Sequence, residues 1–181
     1  MTDKPEPLRR IYCLASDETE DPERYREGGY HPIHLGDELH RGRYQIVHKL
    51  GHGSYSTVWL VQDQQKDKYT ALKIATADAS TGGTESQVLQ WLGRIEKWFR
   101  HGGPDTRGWD FIPEMLDIFE IQGPNGNHKC IVLEPLRASL SIEFDHLKGG
   151  RLPAEVSRNV SMQLAEGLSF LHASGIVHGG R

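Results

Sequence analysis

The chain has 181 residues and a formal net charge of -4, so it suits one domain with its own core and offers no broad basic field for nucleic acid. No apolar run is long enough to span a membrane, and the polar amino terminus lacks the apolar core of a signal peptide. The two cysteines, Cys13 and Cys130, lie far apart without metal or redox spacing, which favours reduced thiols in the cytoplasm or nucleus.

Residues 1–29 are rich in charged and turn-forming residues, and we expect them to form a flexible, solvated arm. The acidic cluster at residues 16–21 shows no apolar periodicity, in keeping with such an arm. Residues 30–37 are expected to pack as a short extended segment that leads into the first strand.

Residues 44–73 predict three β-strands, because runs of β-branched and aromatic residues alternate there with turns. Between the first two strands lies a predicted tight glycine turn with Gly51 and Gly53 (the glycine loop, residues 50–55). Glycines let the backbone come close to a ligand, and amides bared by such a turn can face phosphate oxygens. Lys73, at the end of Thr70-Ala71-Leu72-Lys73 on the third strand, can supply the countercharge.

Two other interpretations of the glycine loop exist. One is a plain glycine hairpin beside a surface lysine, although Val58 follows the glycines at a spacing typical of a phosphate-binding loop. The other is a Rossmann loop, which is disfavoured because a strand rather than a helix follows Ser56.

A small-residue loop is predicted at residues 76–83, followed by a helix. Thr84-Glu85-Ser86-Gln87 fits a capping box, with Thr84 as N-cap. The helix then has one apolar face at helical spacing, formed by Val88, Leu92, Ile95 and Phe99.

Residues 115–122 and 129–134 predict two more strands, joined by a hairpin that Asn125-Gly126 indicates. With the first three, they make a five-stranded antiparallel sheet. A short helix is predicted at residues 139–147 and a longer one at 153–174, with proline at its start and glycine after its end. The apolar stripe of the longer helix consists of Val156, Val160, Leu164, Leu168 and Leu171.

These motifs together resemble the amino-terminal part of a eukaryotic protein kinase, and more narrowly the SR-protein kinases. The resemblance runs from about residue 25 to residue 178, and Ser56 stands where the general kinase loop has its third glycine, as is usual in this subfamily. It is carried by Gly28-Gly29-Tyr30-His31-Pro32-Ile33, Gly36-Asp37, Gly42-Arg43-Tyr44, Lys49-Leu50-Gly51 and Ser56-Thr57-Val58-Trp59-Leu60.

The resemblance implies an α+β fold: a kinase small lobe with a five-stranded sheet and one helix, then the start of the helical large lobe. The implied domains are the arm at 1–29, the small lobe and hinge at 30–136, and the start of a truncated large lobe at 137–181. The resemblance also implies ATP as the cofactor. Its implied contacts are Leu50, Gly51, Gly53, Val58, Ala71, Lys73, Glu85, Glu134 and Leu136.

Two of these implied roles have alternatives. In the family a helix glutamate pairs with the strand lysine; Glu85 matches that place best, Glu96 competes, and Glu85 can also be a helix-start glutamate favoured by the macrodipole. The hinge would bind adenine through the Glu134 carbonyl and the Leu136 amide, with Leu133 as gatekeeper. Its alternative is an ordinary strand exit.

The start of the kinase catalytic loop is matched only in part. His178 matches the family pattern, but Gly180 stands where the pattern has the aspartate that accepts the substrate hydroxyl proton. The family's magnesium ligands, an asparagine and the aspartate of Asp-Phe-Gly, would lie beyond residue 181. No histidine, cysteine and carboxylate cluster suggests another metal site.

The resemblance therefore implies a serine/threonine kinase of SR-protein-kinase type that holds the ATP-binding half of the phosphotransfer site and is catalytically impaired by truncation, as a pseudokinase. The implied partners are ATP and arginine-serine-rich splicing proteins, with no direct nucleic acid and no membrane. Two alternatives are a non-catalytic interaction or regulatory protein derived from a kinase, and an incomplete gene model of an active kinase.

Overall fold

Six strands and three α-helices make up the part of the chain that the computed structural model describes, residues 19–82, 84–99, 108–136 and 152–177. Short 3-10 helices at Pro22–Arg24 and Trp109–Phe111 add to them. The strands are β1 (Glu38–Leu39), β2 (Tyr44–Gly53), β3 (Ser56–Asp63), β4 (Lys68–Ala75), β5 (Met115–Gly123) and β6 (Gly126–Leu133). The helices are α1 (Ala77–Gly82), α2 (Thr84–Phe99) and α3 (Ala154–Ala173).

The strands form one sheet in the order β1-β2-β3-β4-β6-β5. All five predicted strands are present, the turn before Gly126 lies where Asn-Gly indicated it, and the predicted α+β class is confirmed. The two-residue β1 pairs antiparallel with β2 and is an addition to the five predicted strands. It is too short to leave a periodic signal in the sequence.

Residues 19–84 and 116–133 form a first compact unit that contains the sheet, and residues 85–115 with the chain from 134 onward form a second. The core of the first unit lies on one face of the sheet, because alternate residues of each strand point to it. Its buried members are Tyr44, Ile46, Trp59, Val61, Leu72, Ile74, Phe119, Cys130 and Val132.

A buried ion-pair network links three strands of this unit. The Arg43 guanidinium donates to both carboxylate oxygens of Asp63, at 3.1 and 2.8 Å, and to Asp117 at 2.9 Å. The Tyr44 hydroxyl donates to the same oxygen of Asp117 at 2.8 Å. The hydrogen bonds from Arg43 hold the pKa of the Asp63 carboxyl below its usual value. The Gly42-Arg43-Tyr44 motif, which carries part of the resemblance to kinases, thus has a structural role in linking strands of the sheet.

Residues 19–29 differ from the expected solvated arm, while residues 1–18 lie outside the described residues. Glu20, part of the acidic cluster, is only 7% exposed. Asp21 begins the first 3-10 helix, where its side chain accepts a hydrogen bond from the Glu23 amide at 3.0 Å. Acidic composition suggested solvation, but here the carboxylates cap a helix and take part in an ion pair.

The predicted loop at residues 76–83 is also wrong, because residues 77–82 form α1. Thr76 precedes the helix, and its side-chain oxygen accepts from the Ala79 amide at 3.4 Å. The Ser80 hydroxyl donates to the Thr76 carbonyl at 2.8 Å. A six-residue helix of small residues has no apolar periodicity, so the pattern gave no sign of it.

In the second unit, the packed face of α3 overlaps only part of the predicted stripe. Gly167 and Phe170 are its buried residues, and the Phe170 ring meets the Trp109 ring edge-on, with centroids 5.5 Å apart. Of the predicted stripe, Leu164 is 62% exposed and Leu168 is exposed as well. Val160 and Leu171 of the stripe are partly buried and lie on the same side of the helix as Gly167. The stripe therefore predicted the packed side of this helix only in part.

Several predicted features fall on residues outside the described ranges. These are the short helix at 139–147, Cys13, His178 and Gly180. Among the described residues, no helix combines the length and apolar character needed to cross a membrane.

Candidate functional site

A row of cross-strand partners carries the predicted phosphate-binding residues of the first unit. Gly51 in β2 lies opposite Val58 in β3, Val58 lies opposite Lys73 in β4, and Lys73 lies opposite Ile131 in β6. Directly opposed residues share one face of a sheet. The structure therefore brings together the glycine loop, its following valine and the lysine, as the sequence predicted.

A second row on the same face lies two residues along β4. Ala71 is opposite Leu60 in β3 and Leu133 in β6, and it is buried. Because strand residues alternate in direction, Ala71 and Lys73 face away from the core residues Leu72 and Ile74. This face thus combines an apolar patch with Lys73.

Gly51 and Gly53 do not lie in the tight turn that the sequence predicted, but in a strand. β2 continues through Gly53 and β3 begins at Ser56, so both glycines lie within a strand. A Cβ built on Gly51 meets nothing within 4 Å, and one built on Gly53 comes no closer than 3.9 Å to the Ser56 hydroxyl. Neither a left-handed backbone nor internal packing requires glycine here. Room for a ligand is the interpretation that still explains both glycines.

Leu50 lies at an irregularity in β2. The β2–β3 register shifts between Lys49 and Gly51, which leaves Leu50 without a paired residue in a β-bulge. Its side chain is 47% exposed. Bulges bend a strand and increase its twist, and they are common beside active sites. The predicted contact residue Leu50 is thus at the point where β2 bends into the glycine loop.

The remaining predicted contacts belong to the second unit. Glu85 lies in the first turn of α2, while Glu134 and Leu136 follow the end of β6. The Glu134 amide donates to the Glu114 carbonyl at 3.3 Å. Leu136 is exposed. The first unit ends at Leu133, and the hinge at residues 134–136 stays a prediction. The competing glutamate, Glu96, lies in α2, and its side chain is outside the described residues.

Two histidines of the first unit lie close together, although the sequence showed no cluster. The His31 and His128 rings meet edge-on, with centroids 4.8 Å apart. Burial, and secondarily His128, lowers the pKa of His31 to about 4. His128 Nδ1 lies 3.0 Å from the Ala75 carbonyl oxygen. Across the described ranges, no group of three or more His, Cys, Asp or Glu residues is placed to hold a metal ion.

Sequence reasoning missed two upstream residues, one that contacts the glycine loop and one that contacts Lys49 just before it. The Tyr30 hydroxyl donates to the Gly53 carbonyl at 2.8 Å, and the Glu20 carboxylate pairs with the ammonium of Lys49. Tyr30 was part of the motif that carried the resemblance, but its contact is 23 residues distant in sequence. No local pattern links two positions that far apart.

Comparison with known proteins gives several close matches. Human SRSF protein kinase 3 is 34% identical over 178 residues, which cover 98% of this chain and 30% of the human protein. Protein kinase dsk1 of Schizosaccharomyces pombe is 34% identical over 160 residues, 88% of this chain and 29% of that protein. Serine/threonine-protein kinase spk-1 of Caenorhabditis briggsae is 34% identical over 177 residues, 96% of this chain and 15% of that protein.

The chain thus spans less than a third of the length of these three relatives, while nearly all of it is matched. No protein-family model matches the chain.

Proposed function

Because this chain belongs to the SR-protein kinase family, we propose that it forms the ATP-binding half of a serine/threonine kinase site. The sheet face that carries Val58, Ala71 and Lys73 receives the nucleotide, and the glycine loop covers its phosphates. The domain division that goes with this proposal is a small lobe and hinge at 30–136, followed by the start of a large lobe.

The observation that carries the proposal is the row Gly51, Val58 and Lys73 on one face of the sheet. An apolar patch beside Lys73 suits an aromatic base joined to a charged phosphate chain. The open space over Gly51 gives the phosphates access to the backbone amides. The residues present therefore fit the triphosphate of ATP.

Three further residues enter the proposal from the family resemblance alone. Glu85 would orient Lys73 toward the phosphates, as the corresponding glutamate does in kinases. The Glu134 carbonyl and the Leu136 amide would contact the adenine edge. A magnesium ion bound with ATP would neutralise the phosphate charge in such a site, but the family's metal ligands have no counterpart among residues 1–181.

The names of the relatives point to SR splicing proteins as substrates, and we propose arginine-serine-rich proteins as the substrate class of the site. Action in the cytoplasm or nucleus goes with that proposal. For the 181-residue polypeptide by itself, we expect nucleotide binding without phosphate transfer to an arginine-serine peptide. Gly180 has no group that can accept the hydroxyl proton, and Gly180→Asp alone should not restore transfer without the metal ligands.

The test is calorimetric titration of a non-hydrolysable ATP analogue into the wild-type chain, Lys73→Met and a matched control, Lys68→Met. Lys68 is exposed at the opposite end of β4. It lies five positions before Lys73, and an odd offset along a strand places two side chains on opposite faces. We expect the wild type and Lys68→Met to bind alike and Lys73→Met to bind about tenfold more weakly, since a charge-assisted contact of roughly 1.5–3 kcal/mol is lost.

Equal affinities in all three chains would show that Lys73 does not contact the nucleotide and would overturn the proposed site. Magnesium should change the wild-type affinity little, because the family's metal ligands lie outside this polypeptide. A radiolabel assay that detects transfer to an arginine-serine peptide above a no-enzyme control would contradict the expected lack of catalysis.

A further inference from the structure

The segment at residues 20–30 (the strap) is fixed at its carboxyl end to the hairpin turn between β5 and β6. The Gly28 amide donates to the Asn125 carbonyl at 2.9 Å. In return, the Asn125 side-chain amide donates to the Tyr30 carbonyl at 2.6 Å. Asn125 thus accepts one hydrogen bond and donates another, and the two bonds fix both the position and the direction of the backbone on either side of Gly29.

The strap also caps helix α1, which follows the lysine strand β4. The Ala77 amide donates to the Gly29 carbonyl at 3.0 Å, and the Asp78 amide donates to the Gly28 carbonyl at 2.9 Å. These are among the amides that a helix start leaves without internal partners. The strap backbone therefore caps α1 together with the Thr76 side chain, and it is held between the hairpin turn and the end of β4.

Glycine at position 29 is required by packing within the strap. A Cβ there would lie 1.8 Å from the Arg24 carbonyl oxygen. That same carbonyl accepts a hydrogen bond from the Tyr30 amide at 2.9 Å. The chain therefore folds tightly back on the 3-10 helix at Pro22–Arg24, and this fold aims the Tyr30 side chain.

The first contact of the strap with the glycine loop is the bond from the Tyr30 hydroxyl to the Gly53 carbonyl, 2.8 Å long. Tyr30 is only 3% exposed, and Arg24 Nη1 donates to its hydroxyl oxygen at 3.1 Å. Burial raises the pKa of the Tyr30 phenol, so the hydroxyl keeps its proton and stays a donor. A donor that also accepts from a guanidinium is polarised, which strengthens its own bond.

The second contact is the ion pair between the Glu20 carboxylate and the Lys49 ammonium. The Tyr25 hydroxyl donates to the other Glu20 oxygen, and Lys49 Nζ lies 5.4 Å from the centre of the Trp59 ring. Burial acts to raise the pKa of Glu20, but the hydrogen bonds from Lys49 and Tyr25 outweigh it, so the pKa lies below its usual value. The carboxylate is therefore charged at neutral pH.

These two contacts are on either side of Gly51, one at Lys49 and one at Gly53. Beyond them, the Thr76 amide donates to the Tyr55 carbonyl at 2.9 Å and holds the tip of the hairpin. Gly51 itself has open space around it. The loop is thus fixed at its flanks and open at the point where phosphate would approach.

We propose that the strap positions the glycine loop for nucleotide, with Tyr30 and Glu20 as its positioning residues. This inference rests on the proposed function, because it gives the strap a role in binding the same nucleotide. The residues that carry this role do not themselves contact the nucleotide. It also explains the Gly28-Gly29-Tyr30 motif, because the glycines fold the strap and the tyrosine holds the loop. Glycine loops need a defined conformation because their amides must converge on one phosphate.

The test compares the wild-type chain with Tyr30→Phe, which removes only the hydroxyl, and with Glu20→Gln, which removes only the charge. Tyr69→Phe is the matched control, because Tyr69 is an exposed tyrosine of the same unit. Hydrogen exchange of residues 51–55 and the dissociation constant for the ATP analogue are measured on each chain. We expect Tyr30→Phe to raise both the exchange rate and the dissociation constant about fivefold, the factor that corresponds to one typical hydrogen bond.

We expect Glu20→Gln to raise both about twofold, since it removes the ion pair but keeps a hydrogen-bonding side chain. Tyr69→Phe should change neither. Exchange in β4 and β6 should stay at the wild-type rate in all variants. Faster exchange throughout the sheet would mean general destabilisation and would overturn a positioning role.

Failure of this inference is distinguishable from failure of the proposed function. If Lys73→Met weakens binding while Tyr30→Phe changes neither loop exchange nor affinity, the nucleotide site stands and the strap inference falls. If loop exchange accelerates but affinity does not change, the strap holds the loop without serving nucleotide, and the inference is again wrong. If the wild type binds no nucleotide, the proposed function fails, and the strap then has no nucleotide role either.

Discussion

Arg43 and Asp63 form a two-fold hydrogen-bonded ion pair between the start of β2 and the end of β3. The Asp63 side chain is almost completely buried, and the Arg43 side chain is largely so. Asp63 Oδ1 also accepts from the Gln65 and Lys66 amides at 3.0 and 3.3 Å. One carboxylate therefore fixes both the β3–β4 turn and the arginine that reaches Asp117.

Asp63→Asn should lower the free energy of unfolding by roughly 1.5–3 kcal/mol, because the Arg43 guanidinium loses its charge-assisted hydrogen bonds to this carboxylate, although it keeps Asp117 as a counterion. Asp67→Asn, at an exposed turn position nearby, should cost far less. The pKa of Asp63 is lowered in the folded state, so its contribution is present above the unfolded value of about 3.9 and is lost as pH falls below it. Urea titrations of both variants between neutral pH and pH 3 measure this. Parallel acid sensitivity in wild type and Asp63→Asn would contradict it.

Gly51→Ala should weaken nucleotide binding without lowering the stability of the fold. Since a Cβ at this position meets nothing within 4 Å, the free energy of unfolding should stay the same or rise by up to about 1 kcal/mol. Affinity for an ATP analogue should fall about tenfold, because the methyl group occupies space that the phosphates need. Thermal unfolding and calorimetric titration of the same preparation give both quantities.

Gly29→Ala is the matched contrast for Gly51→Ala. Its Cβ would overlap the Arg24 carbonyl, so it should destabilise the chain through packing inside the strap. Similar stability losses in both variants would show that Gly51 is needed for folding and not for ligand access.

In the second unit, Gly108→Ala should loosen the contact between α3 and the second 3-10 helix. The residue has a φ of 95°, and a Cβ would lie 2.2 Å from the Glu166 carbonyl oxygen. Left-handed strain and overlap together should cost about 3 kcal/mol. Gly175→Ala is the control: its φ is 75° but its Cβ would meet nothing within 4 Å, so strain alone should cost about 1–2 kcal/mol. Hydrogen exchange along α3 reports the difference, and equal protection in the two variants would refute it.

The exposed apolar side of α3 should cause the chain to self-associate. Leu164, Leu168 and Val156 are all exposed on this helix, and contiguous apolar surface favours association in water. Leu164→Lys with Leu168→Lys should shift the chain toward monomer in sedimentation velocity. Gln163→Lys adds a charge beside the stripe and should leave association unchanged. A wild-type chain that sediments as a monomer would show that the stripe is covered in solution.

The sheet could be predicted because each of its long strands carries its own local signal, and the resemblance to SR-protein kinases is confirmed by the relatives. The pairing of Val58 with Lys73 follows from short connections, which leave antiparallel strands few possible registers. What escaped prediction were interactions between positions distant in sequence. No local sequence pattern identifies Gly53 as the partner of Tyr30, or Lys49 as the partner of Glu20.

Helix α3 shows a second limit of sequence patterns. Counting aliphatic residues at helical spacing finds an apolar side, but it does not say which side another element covers. Gly167 allows close approach and Phe170 supplies the contact with Trp109. A glycine contributes nothing to an apolar count, although here it marks the packed face.

The anchoring of Tyr30 by Asn125 has a consequence for the order in which the chain can fold. The two residues are 95 positions apart, whereas Tyr30 and Gly53 are only 23 apart. At a synthesis rate of roughly 5–20 residues per second, Asn125 is added about 5–20 s after Tyr30. During that interval a nascent chain can join the tyrosine to the glycine loop and the strap to α1, but it cannot form the two bonds to Asn125. The strap thus gains its last backbone anchor only after the turn that precedes the last strand has been synthesised.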